Sequence, residues 1–343
     1  MHNLKLMFKI FLIMELALAA GQTQASETTL STEKLKCIAK SIRTIEDSLE
    51  NIRIDCNAWV EKGPSAAGPW ERTPVFWSMT AYYDKIESDR VRIDVHKSVT
   101  KWKNGAAPYF QESFSIGFDG EEGRIVKISA SYNGKTFDRD TAFIYPKPPM
   151  RLKGLDQVTG IEASLFFHYR YMPEPLPKRF SANFEAAADP NSFLVALAKS
   201  DPNYSNIEPV DSKVGFAQLE GIECIKTVCT PGPSVHQWWL DPNRGFALLR
   251  FEHLQKDEKG NERLVELIEV TKLKQFAENI WWPMEAYFVQ RPRQGENSYR
   301  RIVYRASDVI VNDPNFDESV FTVPIPEGYS VNAGVQKFIT GEK

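Results

Sequence analysis

The chain has 343 residues, is 42% hydrophobic and 25% charged, and carries a net charge of −3. That length can bury a sizeable core, in one large β domain or two smaller ones. The slightly acidic balance argues against a nucleic-acid binder, which needs a clear basic excess.

Residues 1–25 predict a secretory signal. Lys5 and Lys9 supply the positive end, and Ile10 to Ala20 is an apolar run interrupted by Glu15. Ala17-Leu18-Ala19 or Thr23-Gln24-Ala25 offers a small-x-small cleavage site. The run is too short to span a bilayer. No cysteine stands near either site, which argues against a lipid-modified N-terminus. Cleavage at Ala25 leaves about 318 residues with a charge of −4, expected in the periplasm or cell envelope. Residues 26–343 are read as a single domain with a Pro- and aromatic-rich, helical insert around 147–212.

Ser31 to Asn51 predicts an amphipathic helix. Leu35, Ile38, Ile42, Ile45 and Leu49 step by three and four residues along one face, with Ser31 as N-cap and Cys37 off the stripe. The period then drops to two. Ile52, Ile54, Cys56, Ala58 and Val60 share one face of a strand, opposite Arg53, Asp55 and Asn57. An antiparallel meander is expected to follow: Pro74 to Lys85, Arg90 to Ser98, and Phe114 to Phe118 before the Asp119–Gly123 turn. Val126, Ile128, Ala130 and Tyr132 then lead to an Asn133-Gly134 hairpin turn.

Within Lys147 to Lys178, Asp156 to Tyr171 is a helix candidate carrying Phe166, Phe167, Tyr169 and Tyr171. Asp189 to Lys199 is a second, with Asp189 as N-cap and Pro190 first in the helix. Strands resume from Val214, through Glu262 to Leu273, Ile280 to Gln290 and Ser298 to Val311. The prolines of the Phe321–Tyr329 ending limit pairing there to an edge or an end. Asp-Pro-Asn recurs at Asp189, Asp201, Asp241 and Asp313 with irregular spacing, and reads as turn chemistry.

The most informative stretch is Ser234 to His253. Asp241-Pro242-Asn243-Arg244-Gly245 separates two strand-like runs, the form of a hairpin with a short Gly-containing loop. Adjacent residues of a strand face opposite ways, so Trp238 and Trp239 place large rings on both faces of the sheet. Trp281-Trp282 repeats the arrangement. Both faces then need cover: from helices and loops of the chain, or from a ligand in an apolar cavity.

The residues propose little chemistry. No P-loop, G-x-S-x-G, H-E-x-x-H or G-x-G-x-x-G sequence occurs. His236 and His253 flank the Trp hairpin without an evident third ligand, so no metal and no cofactor are expected. Glu121-Glu122 and Asp317-Glu318 fall in turns; a carboxylate-dependent hydrolase would need such groups across a cleft. Arg291, Arg293, Arg300, Arg301 and Arg305 are either a solvated strand face or a site for an anionic partner. Cys37, Cys56, Cys224 and Cys229 allow three disulfide connectivities. Cys224 and Cys229 share a strand on the order of 16 Å apart, which disfavours a bond between them.

The order of elements, with Trp238-Trp239-Leu240-Asp241-Pro242, Gly245 and the Phe321–Val331 ending containing Pro326 and Gly328, resembles the periplasmic lipoprotein carriers of LolA-like fold. The resemblance implies a mainly β chain with a few helices (α+β): a strongly curved antiparallel sheet, or incomplete barrel, under a helical lid. It also implies a lipid or an acylated protein as partner. The chain departs from the carriers in being longer around Lys147 to Ser212, and no client-contacting Arg can be matched. The expected function is non-enzymatic binding or carriage of an apolar ligand. Its candidate wall and lid are Phe166, Phe167, Tyr169, Trp238, Trp239, Phe251, Trp281 and Trp282. A filled-core interaction module and a hydrolase remain as alternatives.

Overall fold

The computed structural model describes residues 30–84, 90–99, 110–132, 135–137, 141–145, 181, 184, 188, 211–230, 233–292 and 296–333. Helix α1 (Thr32–Asp47) precedes strands β1 (Asn51–Gly63), β2 (Glu71–Asp84), β3 (Val91–Val99), β4 (Phe110–Phe118), β5 (Gly123–Tyr132), β6 (Lys135–Phe137) and β7 (Thr141–Tyr145). Strands β8 (Asp211–Leu219), β9 (Ile222–Thr230), β10 (Ser234–Asp241), β11 (Ala247–Lys256), β12 (Glu262–Ala277), β13 (Ile280–Gln290) and β14 (Tyr299–Val311) form the second half, and β15 (Ser330–Ala333) ends it. All join one curved sheet in the order β15-β7-β5-β4-β3-β2-β1-β14-β13-β12-β11-β10-β9-β8, with β6 on β5; the sheet does not close. Two antiparallel meanders thus meet where β1 pairs with β14.

The alternation read in the sequence explains which face is which. Ile52, Ile54, Cys56, Ala58 and Val60 of β1 are buried on one side, in a cluster with Trp77, Met79, Ala81 and Tyr83 of β2 and Val91, Ile93 and Val95 of β3. Helix α1 lays Leu35, Ile38, Ala39 and Ile42 into the same cluster, so this is the concave face. Each such Leu or Ile stabilises by roughly 1.5–3 kcal/mol on leaving water. The helix is held at both ends. The Ser31 hydroxyl caps the Lys34 N–H, and the Leu30 N–H donates to Val214 O at 3.0 Å on edge strand β8. At the other end, Asn312 Nδ2 donates to Ser48 O at 2.6 Å and its Oδ1 accepts from Glu50 N at 2.8 Å.

Some expectations shift. A bulge between Ser113 and Phe114 breaks the alternation across β4 and β5. Val126 is buried on the convex side, while Ile128, at the bulge, is 49% exposed. The helical lid is not shown. Asp156 to Tyr171, Asp189 to Lys199, the signal segment and Asn133-Gly134 lie outside the described residues. Helical residues do occur at Ser181, Phe184 and Ala188, inside the expected helical insert but outside both of its helix candidates. Phe184 is fully buried in the concave cluster, and Ser181 Oγ donates to Glu46 of α1 at 2.6 Å.

Residues 313–329 run along the convex face of β3 to β5. Arg92 donates to Val320 O and Arg124 to Val323 O, each at 3.1 Å. Val323 packs with Val126 and Ala142, and β15 then pairs in parallel with β7. Gly117 is the seat for this segment. A Cβ there would stand 2.6 Å from a Val323 methyl and 2.7 Å from Phe321 O. Gly117→Val should cost about 1–3 kcal/mol by overpacking. It should also speed proteolysis within 313–329, read by limited digestion and urea unfolding.

Candidate functional site

The Trp hairpin forms as expected. The Asp241 carboxylate accepts from Asn243 N at 2.9 Å, Pro242 opens a 3-10 turn to Arg244, and Gly245 turns the chain at φ 61. A Cβ on Gly245 would overlap Asn279 O of the neighbouring turn. Asp313 makes the same turn contact, accepting from Asn315 N at 2.9 Å.

Register assembles the concave wall. Val60, Ile302, Phe288, Ile268, Phe251, Trp238, Thr227 and Val214 lie side by side across β1, β14, β13, β12, β11, β10, β9 and β8. Trp238 and Phe251 stand 5.4 Å apart between ring centroids. Trp282, Tyr304, Ala286 and Val270 continue the apolar surface. Burial pushes the Tyr304 hydroxyl well above the ordinary phenol range, next to Cys56, while Trp282 bonds to it. Two buried polar groups of this cluster, Trp77 Nε1 and Thr227 Oγ1, have no hydrogen-bond partner among the described residues.

Above that wall lies a polar row: Lys62, Arg300, Gln290, Glu266, His253 and His236 on six successive strands. The two imidazoles stand 4.6 Å apart between centroids, and His253 Nδ1 lies 3.8 Å from Glu266 Oε2. Among the described residues no group of three or more His, Cys, Asp or Glu could hold a metal ion. Further round, burial lowers the Lys97 ammonium; Glu112 opposes this and Arg300 adds to it. The arrangement is a buried apolar wall, packed in one cluster with α1 and Phe184, with a row of polar and charged residues above it.

The structure divides the expected wall residues. Trp238, Phe251 and Trp282 share the concave face. Trp239 packs on the convex side with Ala217, Cys224 and Leu249. Lys226 and Arg250, its cross-strand neighbours, place their cations 5.1 and 5.8 Å from its ring. Trp281 meets Arg244 at 5.7 Å. Phe166, Phe167 and Tyr169 lie outside the described residues. Of the late arginines, Arg301 pairs with Glu61 between the rings of Trp70 and Tyr287, and Arg305 pairs with Glu285 at 3.3 Å. The sequence reading missed Phe288, Ile302 and the polar lip. Their alternation was visible, but the register that lines them up was not.

No family model matches the sequence, and no curated protein matches it. Among solved structures, the chain is similar to an outer membrane lipoprotein-sorting protein domain from Vibrio parahaemolyticus, at 11% identity and a TM-score of 0.41, covering 85% of this chain and 97% of that one. It is also similar to a DUF1329 family protein from Desulfovibrio piger, at 14% identity and a TM-score of 0.36, covering 86% and 98%. A third, MucB in complex with MucA(peri), gives 10% identity and a TM-score of 0.22, covering 80% and 93%. At these scores the likeness is one of broad outline.

Two measurements check the site. Trp238→Ala should cost about 3–5 kcal/mol in chemical denaturation, whereas Trp281→Ala, on the convex face, should cost less than about 1 kcal/mol. Exposed Cys37 should label quickly with a maleimide at pH 8. Buried Cys56 and Cys224 should label only on unfolding, the Cys224 thiol being pushed up to about 11 by burial and by Asp241. Peptide mass mapping reads both.

Proposed function

We propose that this is an exported, non-enzymatic binder of an acyl-chain lipid or lipidated protein in the cell envelope. The carrying observation is the row from Val60 to Val214, apolar except for Thr227, beneath a charged lip. Such a surface suits an amphiphile: chain along the wall, polar group at Lys62, Arg300 and the histidines. The lone hydroxyl of Thr227 and indole N–H of Trp77 offer polar contacts within the trough to an ester or hydroxyl of the ligand. No covalent step is needed.

Each buried methylene contributes about 0.8 kcal/mol. Ten of them give about 8 kcal/mol, which the cost of association, about 4–15 kcal/mol, largely offsets. Long or paired acyl chains are therefore the favoured class, and short fatty acids should bind weakly. Among the described residues no helix is long and apolar enough to cross a membrane.

Native mass spectrometry of protein purified without detergent should show an added lipid mass that organic extraction removes. A brominated acyl lipid should then quench tryptophan fluorescence. Trp77→Phe/Trp238→Phe/Trp282→Phe should lose most of that quenching, while Trp59, Trp70, Trp239 and Trp281 continue to emit. Quenching that persists in the triple variant, or a lipid-free protein that takes up no probe, would overturn the reading.

A further inference from the structure

A second row of the concave face, beside the one that contains Val60, ends on charge. Ala286, Tyr304, Ala58, Trp77, Lys97 and Glu112 are neighbours in register across β13, β14, β1, β2, β3 and β4. The first four are buried in the apolar cluster, Lys97 is half-buried and Glu112 is 8% exposed. Among the described residues the Lys97 ammonium makes no hydrogen bond or ion pair; its one ring contact is Phe110, 5.9 Å to the centroid. Trp77, 1% exposed, keeps an indole N–H with no hydrogen-bond partner among the described residues. Leaving such a buried donor unmet costs free energy that a bound acceptor would recover. The two side chains are directly opposed on β2 and β3, with Cβ atoms about 5 Å apart. The surrounding charge has the matching sign. Burial lowers the Lys97 ammonium and Arg300 adds to this, while Glu112 opposes it. Glu112 and Arg300 are each engaged in contacts of their own. Two cations and one carboxylate leave one net positive charge at this end of the row. Nearer the strand ends Lys62 and Glu71, exposed and opposed on β1 and β2, cancel each other.

We infer that Lys97 and Trp77 seat the acidic head group of a two-chain phospholipid whose chains lie along the apolar wall. This site rests on the acyl-chain reading and narrows it: the head group sits at the Arg300 end of the polar row, not at the histidines. An ammonium and an indole N–H can both donate to the oxygens of one phosphodiester. Its single negative charge balances the single positive one. Paired chains are the class that burial favours. The uncharged acyl anchor of a lipidated protein would leave both donors unmet.

A competition between two lipids tests it. Delipidated protein is offered phosphatidylglycerol and diacylglycerol of the same acyl chains in equal amounts, repurified and extracted, and the bound lipids are quantified by mass spectrometry. The diacylglycerol keeps the chains and removes the phosphate. Phosphatidylglycerol should be taken up at least about tenfold more. Lys97→Met and Lys97→Gln should lose most of that preference while still binding both lipids, and Lys97→Arg should keep it. Trp77→Phe should reduce it by roughly a few-fold. Circular dichroism should show each variant folded. Equal uptake of the two lipids by the unaltered protein, or a preference that survives Lys97→Met and Lys97→Gln, would overturn the head-group site and leave the acyl-chain reading standing. Uptake of neither lipid would overturn both.

Discussion

The pairing of β1 with β14 is the constraint on which the rest depends. These strands stand 262 residues apart at Asn51 and Asp313, where Asn51 Nδ2 donates to Asp313 O at 3.2 Å and Asp313 N donates back at 2.8 Å. Each meander is made of local hairpins, but the continuous concave face exists only once the two are joined at their inner strands. The junction also sets the helix. Asn312, at φ 54, reaches both Ser48 O and Glu50 N, fixing where α1 leaves the trough. An asparagine accepts this left-handed conformation far better than a bulky or β-branched residue would. Contacts of such sequence separation close late, so assembly should follow formation of the local hairpins.

The two faces of the sheet meet the same problem differently. On the concave side, aromatic and branched residues pack with α1 and Phe184 in one cluster. On the convex side, rings are covered by the stems of neighbouring cations. Trp59 is overlain by Arg72 and Arg305 at 4.8 and 5.7 Å, and its indole N–H donates to Glu61 at 2.9 Å. The arginines are in turn held by carboxylates, as Arg250 is by Glu252 and Glu269. Among the described residues, the convex tryptophans are thus flanked by cation stems.

Much of the fold was legible. Helix α1, with its Ser31 cap, and the alternating strands followed from periodicity because those segments bury one face and wet the other. The two-sided tryptophans followed from strand geometry alone. The helical residues Ser181, Phe184 and Ala188 fall within the expected helical insert but outside its two candidates, because Asp189-Pro190 drew the helix start later. The trough was half legible: Trp238, Phe251 and Trp282 were named, but Trp239 and Trp281 could not be separated from them. Which of two adjacent tryptophans faces inward depends on where the sheet curves and where α1 lies. The charged lip was invisible, because it unites residues from Lys62 to Arg300 through register.

The functional account comes down to one physical claim: the concave wall contacts a hydrocarbon chain. Isotope-filtered nuclear Overhauser spectroscopy on protein carrying a carbon-13-labelled acyl lipid tests this most directly. The account predicts contacts from the chain methylenes to the indole protons of Trp238 and Trp282 and the ring of Phe251. Contacts only to the convex Trp239 and Trp281, or none to any concave ring, would contradict it.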